Sequence, residues 1–494
     1  MEKEEHNKNQ WKSSLSFLTA MIGSAIGLGN IWRYPYVVYS NGGGAFLLPY
    51  LISIIFMALP YLYLEYGVGY KFKSAVPEMF KKVKSKLEVI GWFICFTSFL
   101  ILTYYVVVIG WDLIYLLLSF TKGWGANPNA FYTVGVLQST TSLAGITSIV
   151  WPIAISLVVI WSIIWYISHQ NLNNGIGKYS QILIPSLIIM MAIVVFYGLN
   201  LPGAKIGYTA LFTPNWTALT DPKIWLAAAG QILFSLSLGW GVASTYTSYL
   251  PEDTNLIKNG IIVTIANCGF ELFAAIGIFS ILGFMSLNQG QALNSLVTQG
   301  SGLIFIALPT IFNVMGDFAY ILGPIFFLCV FFAGVTTTIS LLEPKSYGIS
   351  NKFGIKRQKV VTVLCIIGFA ISIVYATKTG SYLLTIADSF LNEFAVLFGI
   401  ILECITFGWL YNTNKILAIL NKNYSKHNLG IWWTYLIKYA IPLIFISLWA
   451  NGVYGLITSS NLISALVEGI IAIILVVCPI IVTILPGKKT VKQN

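Results

Sequence analysis

A chain of 494 residues whose apolar stretches recur a dozen times, each close to the thickness of a bilayer, has few ways to fold. Runs over 13–38, 42–70, 88–120, 149–168, 176–199 and 223–250 are followed by 257–287, 319–347, 359–377, 381–411, 432–454 and 462–485. About 20 apolar residues in helical form cross the hydrocarbon core. Hydrophobic residues make up 57% of the chain and charged ones 9%, against roughly 25% charged in soluble domains. No soluble core of this size hides that much apolar surface, so the solvent for most of it is lipid. Backbone groups in lipid must be satisfied within their own segment, and the runs therefore read as helices. The ten-residue alternation of a membrane β-barrel is missing. A segment over 290–315, with Gly300, Gly302 and Pro309, is too short and polar to span; it reads as a hairpin folded into an outer vestibule.

The net charge of +11 sits in the gaps between runs and not as a stripe on one face, which argues against nucleic acid as a partner. With the N-terminus inside, the cytoplasmic segments hold 23 Lys and Arg residues and the outer ones four: Lys122, Lys205, Lys223 and Lys378. The one cation left over is Arg33. This asymmetry predicts a multi-pass protein of the cell membrane with both termini cytoplasmic. Cys95, Cys268, Cys329, Cys365, Cys404 and Cys478 each lie alone in an apolar segment, without disulfide or zinc spacing. His6, His169 and His427 fall far apart in polar stretches, so a metal cluster is not expected.

Two of the expected helices are poorly made for spanning. The first contains Gly23, Gly27 and Gly29 in seven residues at mid-span, and the sixth runs through Ser235, Ser237, Gly239 and Gly241. Glycine weakens a helix by ~1 kcal/mol relative to alanine. A lone small-residue motif means close helix packing. Matching interruptions five helices apart point instead to a repeat-built secondary transporter. Such breaks free amides that hold a carboxylate and carbonyls that ligate a small cation.

The segments Gly23 to Pro35 (GSAIGLGNIWRYP), Asn41 to Tyr50 (NGGGAFLLPY), Gly230 to Gly241 (GQILFSLSLGWG) and Phe332 to Thr337 (FAGVTT) together resemble the neurotransmitter:sodium symporter family, which includes a bacterial leucine transporter. The resemblance runs in order through the whole chain. It implies an all-α membrane fold of twelve transmembrane helices: two inverted five-helix repeats with discontinuous helices 1 and 6, plus two trailing helices. The chain is then one transporter domain over 1–494, with repeat one at about 13–199, repeat two at about 223–411 and the trailing helices at about 432–485.

Residue by residue, the resemblance implies a first sodium site from the Ala25 carbonyl, Asn30, Ser235, Asn267 and the substrate carboxylate. The second comprises the carbonyls of Gly23, Ile26 and Ala333 with the hydroxyls of Thr336 and Thr337. Neutral oxygen donors suit a hard monovalent cation, and a carboxylate shared with sodium couples the two ligands. The backbone at Leu28 and Gly29 and the Tyr105 hydroxyl are expected to hold the carboxylate, and carbonyls near Ala25, Phe234 and Ser237 the ammonium. Ile101, Tyr105, Phe234, Ser237, Trp240 and Leu341 are expected to line the side-chain pocket. No acid is placed for a biogenic amine, so the substrate is expected to be a neutral amino acid, hydrophobic or aromatic.

Arg33 and Asp388, ionisable groups at membrane depth, match the outer gate, with Phe234 and Tyr105 as its aromatic lid. Glu271 follows Asn267 by one helical turn and stands where chloride-dependent relatives carry a small hydroxyl residue. A fixed carboxylate beside Tyr50, Gln231 and Ser235 predicts chloride-independent transport, and its protonation on the return step suggests proton antiport. Glu65 and Glu403 are expected to anchor helices 2 and 10. On the inner side the family's arginine and aspartate are replaced by Lys8 and Asn351, which cannot form a bidentate pair; a weaker gate, helped by Tyr249, is expected. Helix 5 keeps Gly175 and Pro185, spaced as in the motif that lets this helix unwind.

The expected function is a sodium-coupled symporter working by alternating access, with amino acid, co-transported sodium ions and lipid as partners and a homodimer admitted. A channel needs a continuous polar lining, and only point breaks are visible. A non-transporting amino-acid receptor on the same fold is the other alternative. An enzyme is excluded by the lack of any nucleophile–base set, metal cluster or phosphate loop.

Overall fold

The computed structural model describes residues 10–297, 300–422 and 428–488. Lys8, His6 and His427 lie outside the described residues. Among those described, the chain is helical throughout, with two isolated β-bridges and no strand. Ser13 caps the first helix with its hydroxyl. That helix, α1 (Ser14–Ala25), breaks at Ile26–Gly27 and resumes as α2 (Leu28–Ser40) after a 53° bend. Four continuous apolar helices follow: α3 (Gly44–Phe72), α4 (Ser85–Ser119), α5 (Trp151–His169) and α6 (Asn173–Leu199).

A second interruption separates α7 (Pro222–Ser235) from α8 (Val242–Ser248). Then come α9 (Leu256–Gln289), the short α10 (Leu303–Val314), α11 (Gly316–Phe353), α12 (Arg357–Tyr375), α13 (Gly380–Leu410), α14 (Trp432–Ser459) and α15 (Leu462–Ile484). Among the described residues, ten helices are long and apolar enough to cross a membrane, eleven with the bent pair α1/α2. The expected span that does not qualify is the sixth, α7/α8, whose halves are 14 and 7 residues and too short by length. The 290–315 segment carries α10, shorter than a span, as expected.

The two breaks occur in the first and the sixth expected helices, and α4 and α11 pack along each other and close the core around them. Isoleucine, leucine and valine on α5, α12 and α15 face outward, the pattern expected where lipid is the solvent. The partition of cations needs one correction. Lys345 was counted with the cytoplasmic segments, yet it lies within α11, is 3% exposed and donates to the Leu341 carbonyl. Its flexible stem folds back along its own helix to reach a backbone acceptor, which loop counting does not anticipate. All six cysteines are free, and no group of three metal-ligating side chains is present among the described residues.

Candidate functional site

The break in α1/α2 is best read through its backbone hydrogen bonds. In a continuous helix the amides of Gly27 and Leu28 would bond the carbonyls four residues back, at Gly23 and Ser24. Instead Gly27 N–H donates to Asn30 Oδ1 at 2.8 Å and Leu28 N–H to Tyr105 Oη at 3.0 Å. The freed carbonyls find side chains from elsewhere: Thr337 Oγ1 donates to Gly23 at 3.4 Å, and Ser237 Oγ to Ser24 at 2.8 Å. Buried main-chain groups must be paired, and here helices α4, α7/α8 and α11 supply the partners. A Cβ on Gly27 would come within 2.9 Å of Tyr105 Oη and 3.1 Å of Thr337 Oγ1, so the approach requires glycine. Around Gly29 the space is open.

The second break uses left-handed backbone. Ser237, Gly239 and Gly241 have φ of 52°, 75° and 74°, a region glycine enters at no steric cost. Gly239 also faces the Ile400 side chain, which a Cβ would strike.

Where the breaks meet, three of the expected sodium ligands form one polar cluster. Asn30 Nδ2 donates to Asn267 Oδ1 at 2.8 Å and to Ser235 Oγ at 3.4 Å, and Asn267 Nδ2 donates to Ser235 Oγ. All three are almost fully buried. Ala25 is the last residue of α1 and is buried. At the second expected site, Thr337 Oγ1 bridges the Gly23 carbonyl to that of Ala333 at 3.1 Å, so it spans two helices. Thr336 bonds only within its own helix, to Phe332 and Ala333, the alternative such residues always carry. Ile26, extended at the helix end, is buried next to them.

Glu271 sits one turn beyond Asn267. Its carboxylate receives the Tyr50 hydroxyl and Gln231 Nε2, the latter at 3.0 Å, and faces the Ser235 hydroxyl. Cys268 Sγ lies 3.5 Å from Tyr50 Oη. Ile101, Trp240 and Leu341 are buried, while Tyr105 and Phe234 are partly exposed.

At the expected outer gate, Arg33 and Asp388 do not form an ion pair among the described residues. The Arg33 guanidinium lies over the Phe234 ring, 4.6 Å from its centroid. Asp388 is held instead by Tyr104 Oη at 2.7 Å and Asn392 Nδ2 at 2.7 Å. Tyr104 and Asn392 were missed in the sequence, because a tyrosine next to Tyr105 and an amide one turn beyond Asp388 carry no signal of their own.

The inner side differs more. Asn351 is exposed, and its side chain makes no hydrogen bond among the described residues. An ion pair that went unrecognised joins α11 to α12. Arg357 grips Glu343 through Nε at 3.1 Å and again through Nη2, and its Nη1 reaches the carbonyls of Ser168 and Gln170. Tyr249 Oη donates to the same carboxylate at 3.0 Å. Trp11 donates from its indole to Tyr246 O at 2.8 Å and from its backbone to Tyr249 O at 3.1 Å. The signal available in the sequence was that Arg357 is the second of only two arginines. Asn173, at the start of α6 and two residues before Gly175, tethers the same N-terminal segment through Lys12 N and Gln10 O. Glu403 accepts from Tyr61 Oη at 2.8 Å, linking α13 to α3, while Glu65 meets α8 through its backbone carbonyl and Ser244.

The family model described as the sodium:neurotransmitter symporter family matches residues 8–129 and 125–484. The chain belongs to the sodium:neurotransmitter symporter family. An uncharacterised sodium-dependent transporter of Methanocaldococcus jannaschii is 36% identical over 437 residues, covering 88% of this chain and 89% of that protein. The sodium-dependent serotonin transporter of Drosophila melanogaster is 28% identical, covering 91% and 77%. The sodium- and chloride-dependent GABA transporter 2 of Rattus norvegicus is 28% identical, covering 84% and 76%. Members of the sodium:neurotransmitter symporter family are transporters and not enzymes, and the chain is a multi-pass membrane protein with sodium as a co-transported ion.

Proposed function

We propose that this symporter carries a neutral, hydrophobic or aromatic amino acid with sodium, by alternating access and without chloride. The observation that carries the reading is the exchange of partners at the first break. Leu28 offers its amide to Tyr105 Oη, and Asn30, Ser235 and Asn267 converge one turn away. An amide at a helix N-terminus beside neutral oxygens suits a carboxylate on one side and a monovalent cation on the other. Ala25, Asn30, Ser235 and Asn267 with the substrate carboxylate form the first sodium site; Gly23, Ile26, Ala333, Thr336 and Thr337 form the second. Leu28, Gly29 and Tyr105 receive the carboxylate and the carbonyls near Ala25, Phe234 and Ser237 the ammonium. Ile101, Phe234, Trp240 and Leu341 surround the side chain.

Glu271 takes the place of an anion. Tyr50 and Gln231, which would donate to chloride, donate to its carboxylate instead. Arg33 and Asp388 gate the outer side, with Phe234 stacked on the guanidinium; Tyr249, Glu343 and Arg357 gate the inner side. The repeats at about 13–199 and 223–411 move relative to each other, with both termini cytoplasmic in the cell membrane.

Reconstituted vesicles carrying an inward sodium gradient test this. Uptake of labelled leucine or tryptophan should be saturable, should stop when potassium replaces sodium, and should survive replacement of chloride by gluconate. Glutamate uptake without leucine or tryptophan uptake would overturn the substrate class.

A further inference from the structure

An acidic residue on a lipid-facing helix is costly unless something answers its charge. Glu468 is such a residue. It lies six residues into α15, about 9 Å along the helix axis from Leu462 at ~1.5 Å per residue, and α15 is the least buried of the long helices. Glu468 is half-buried and makes no ion pair or hydrogen bond among the described residues. Its side chain lines an open groove of about 420 Å³ between α13, α14 and α15, together with Phe390, Phe394, Val453, Ile457 and Ser460.

The floor of that groove is aromatic. Phe390 and Phe394 stack at 5.1 Å with planes 18° apart, and Phe394 packs against Trp449 at 5.6 Å. Ring faces attract cations, and they do so more strongly when water is excluded. One carboxylate beside a stack of phenylalanine rings, with an apolar wall, selects an organic ammonium group with a hydrocarbon body. A hydrated metal ion would find a single carboxylate and too few oxygens. A neutral lipid chain would leave the charge unanswered.

We infer that the α13–α14–α15 groove is a binding site for a membrane-partitioned amphiphilic ammonium ion, with Glu468 as its counter-ion. The site has a route to the transport pathway. Phe390 and Phe394 flank Asp388 and Asn392 on the same helix, where the backbone passes through a wide turn at Leu391–Val396. Between them, Glu393 lies so close to α14 that a Cβ on Gly452 would sit 2.8 Å from Glu393 Cβ. An occupant therefore loads the helix that carries the outer-gate carboxylate, from the side away from the central site.

Binding can be measured without any transport. The purified full-length protein is titrated with hexyltrimethylammonium, with tryptophan fluorescence reporting through Trp449. A saturable signal is expected, insensitive to excess amino acid, and weakened at least tenfold by Glu468→Gln and severalfold by Phe390→Leu, which keeps the charge. Octan-1-ol, uncharged and of similar length, should give no comparable signal. Glu468→Gln should retain its melting temperature and sodium-driven uptake, which separates loss of the site from loss of the fold. Equal binding by Glu468→Gln, or an equal response to octan-1-ol, would overturn the assignment. Competition by phosphatidylethanolamine vesicles would support the assignment and name a lipid's ammonium headgroup as the occupant, whereas equal competition by phosphatidylglycerol vesicles, which carry no ammonium, would overturn it.

Discussion

Arg357 holds Glu343 through two guanidinium nitrogens, and the same arginine spends its remaining reach on the carbonyls that end α5. One side chain thus ties together α5, α11 and α12. Breaking a buried ion pair by removing one partner costs on the order of 3–5 kcal/mol. Arg357→Ala should lower the melting temperature by several degrees and cut uptake at least fivefold. Arg357→Lys should rescue little, because an ammonium cannot reproduce the fork. Replacing Glu343 by alanine in the Arg357→Ala background should restore part of the stability, as no unpaired acid then remains.

Glu271 offers a gain-of-function test. Glu271→Ser removes the carboxylate that Tyr50 and Gln231 serve, and leaves two donors facing a gap of anion size. Uptake by the variant should fall in gluconate and recover with added chloride, with half-recovery in the millimolar range, while the parent ignores the exchange. A variant indifferent to chloride would contradict the role given to this acid.

Sodium should stabilise the protein as well as drive it. A ligand that binds only the folded state adds stability in proportion to the logarithm of its concentration over its Kd. Exchange of sodium for potassium should therefore lower the melting temperature. In Asn267→Ala the polar cluster with Asn30 and Ser235 is lost. The sodium needed for half-maximal uptake should rise about tenfold, equivalent to ~1.4 kcal/mol, and apparent substrate affinity should fall with it.

Gly239 is the position where the second break is least forgiving. With φ at 75° and Ile400 against it, an alanine meets both backbone strain of roughly 1–2 kcal/mol and a collision. Gly239→Ala should lower uptake more than tenfold. Trimming Ile400 to alanine in that background should recover only the part due to the collision, which uptake rates and thermal melts measure together.

Much of this was readable before any coordinates. Gly27, Gly239 and Gly241 mark the breaks because a Cβ there meets close contacts or left-handed torsions that glycine takes at least cost, and such constraints are written in single letters. The central cluster was readable only through family resemblance, since Asn30 and Asn267 are 237 residues apart and nothing local announces their meeting. Arg357 and Glu343 escaped notice for a related reason. Each lies at the edge of an apolar run where charges are ordinary, and only the approach of α5 makes them a latch. Lys345 misled because a cation near a run's end was assigned to the loop, whereas its side chain turns inward. The sixth span resisted even the folded helices, as a six-residue gap divides its apolar length.

The side chains that hold the broken helix in place, Tyr105 and Thr337, are mounted on α4 and α11, long helices that run without interruption; their counterparts Leu28 and Gly23 stand on either side of the bend. Each recognition point is therefore a seam between two bodies, with half of its atoms on each. Any tilt of the bent rod against its neighbours opens both seams together. Under the function proposed above, cargo release then needs no separate trigger, since the same displacement that uncovers an exit also dismantles the grip.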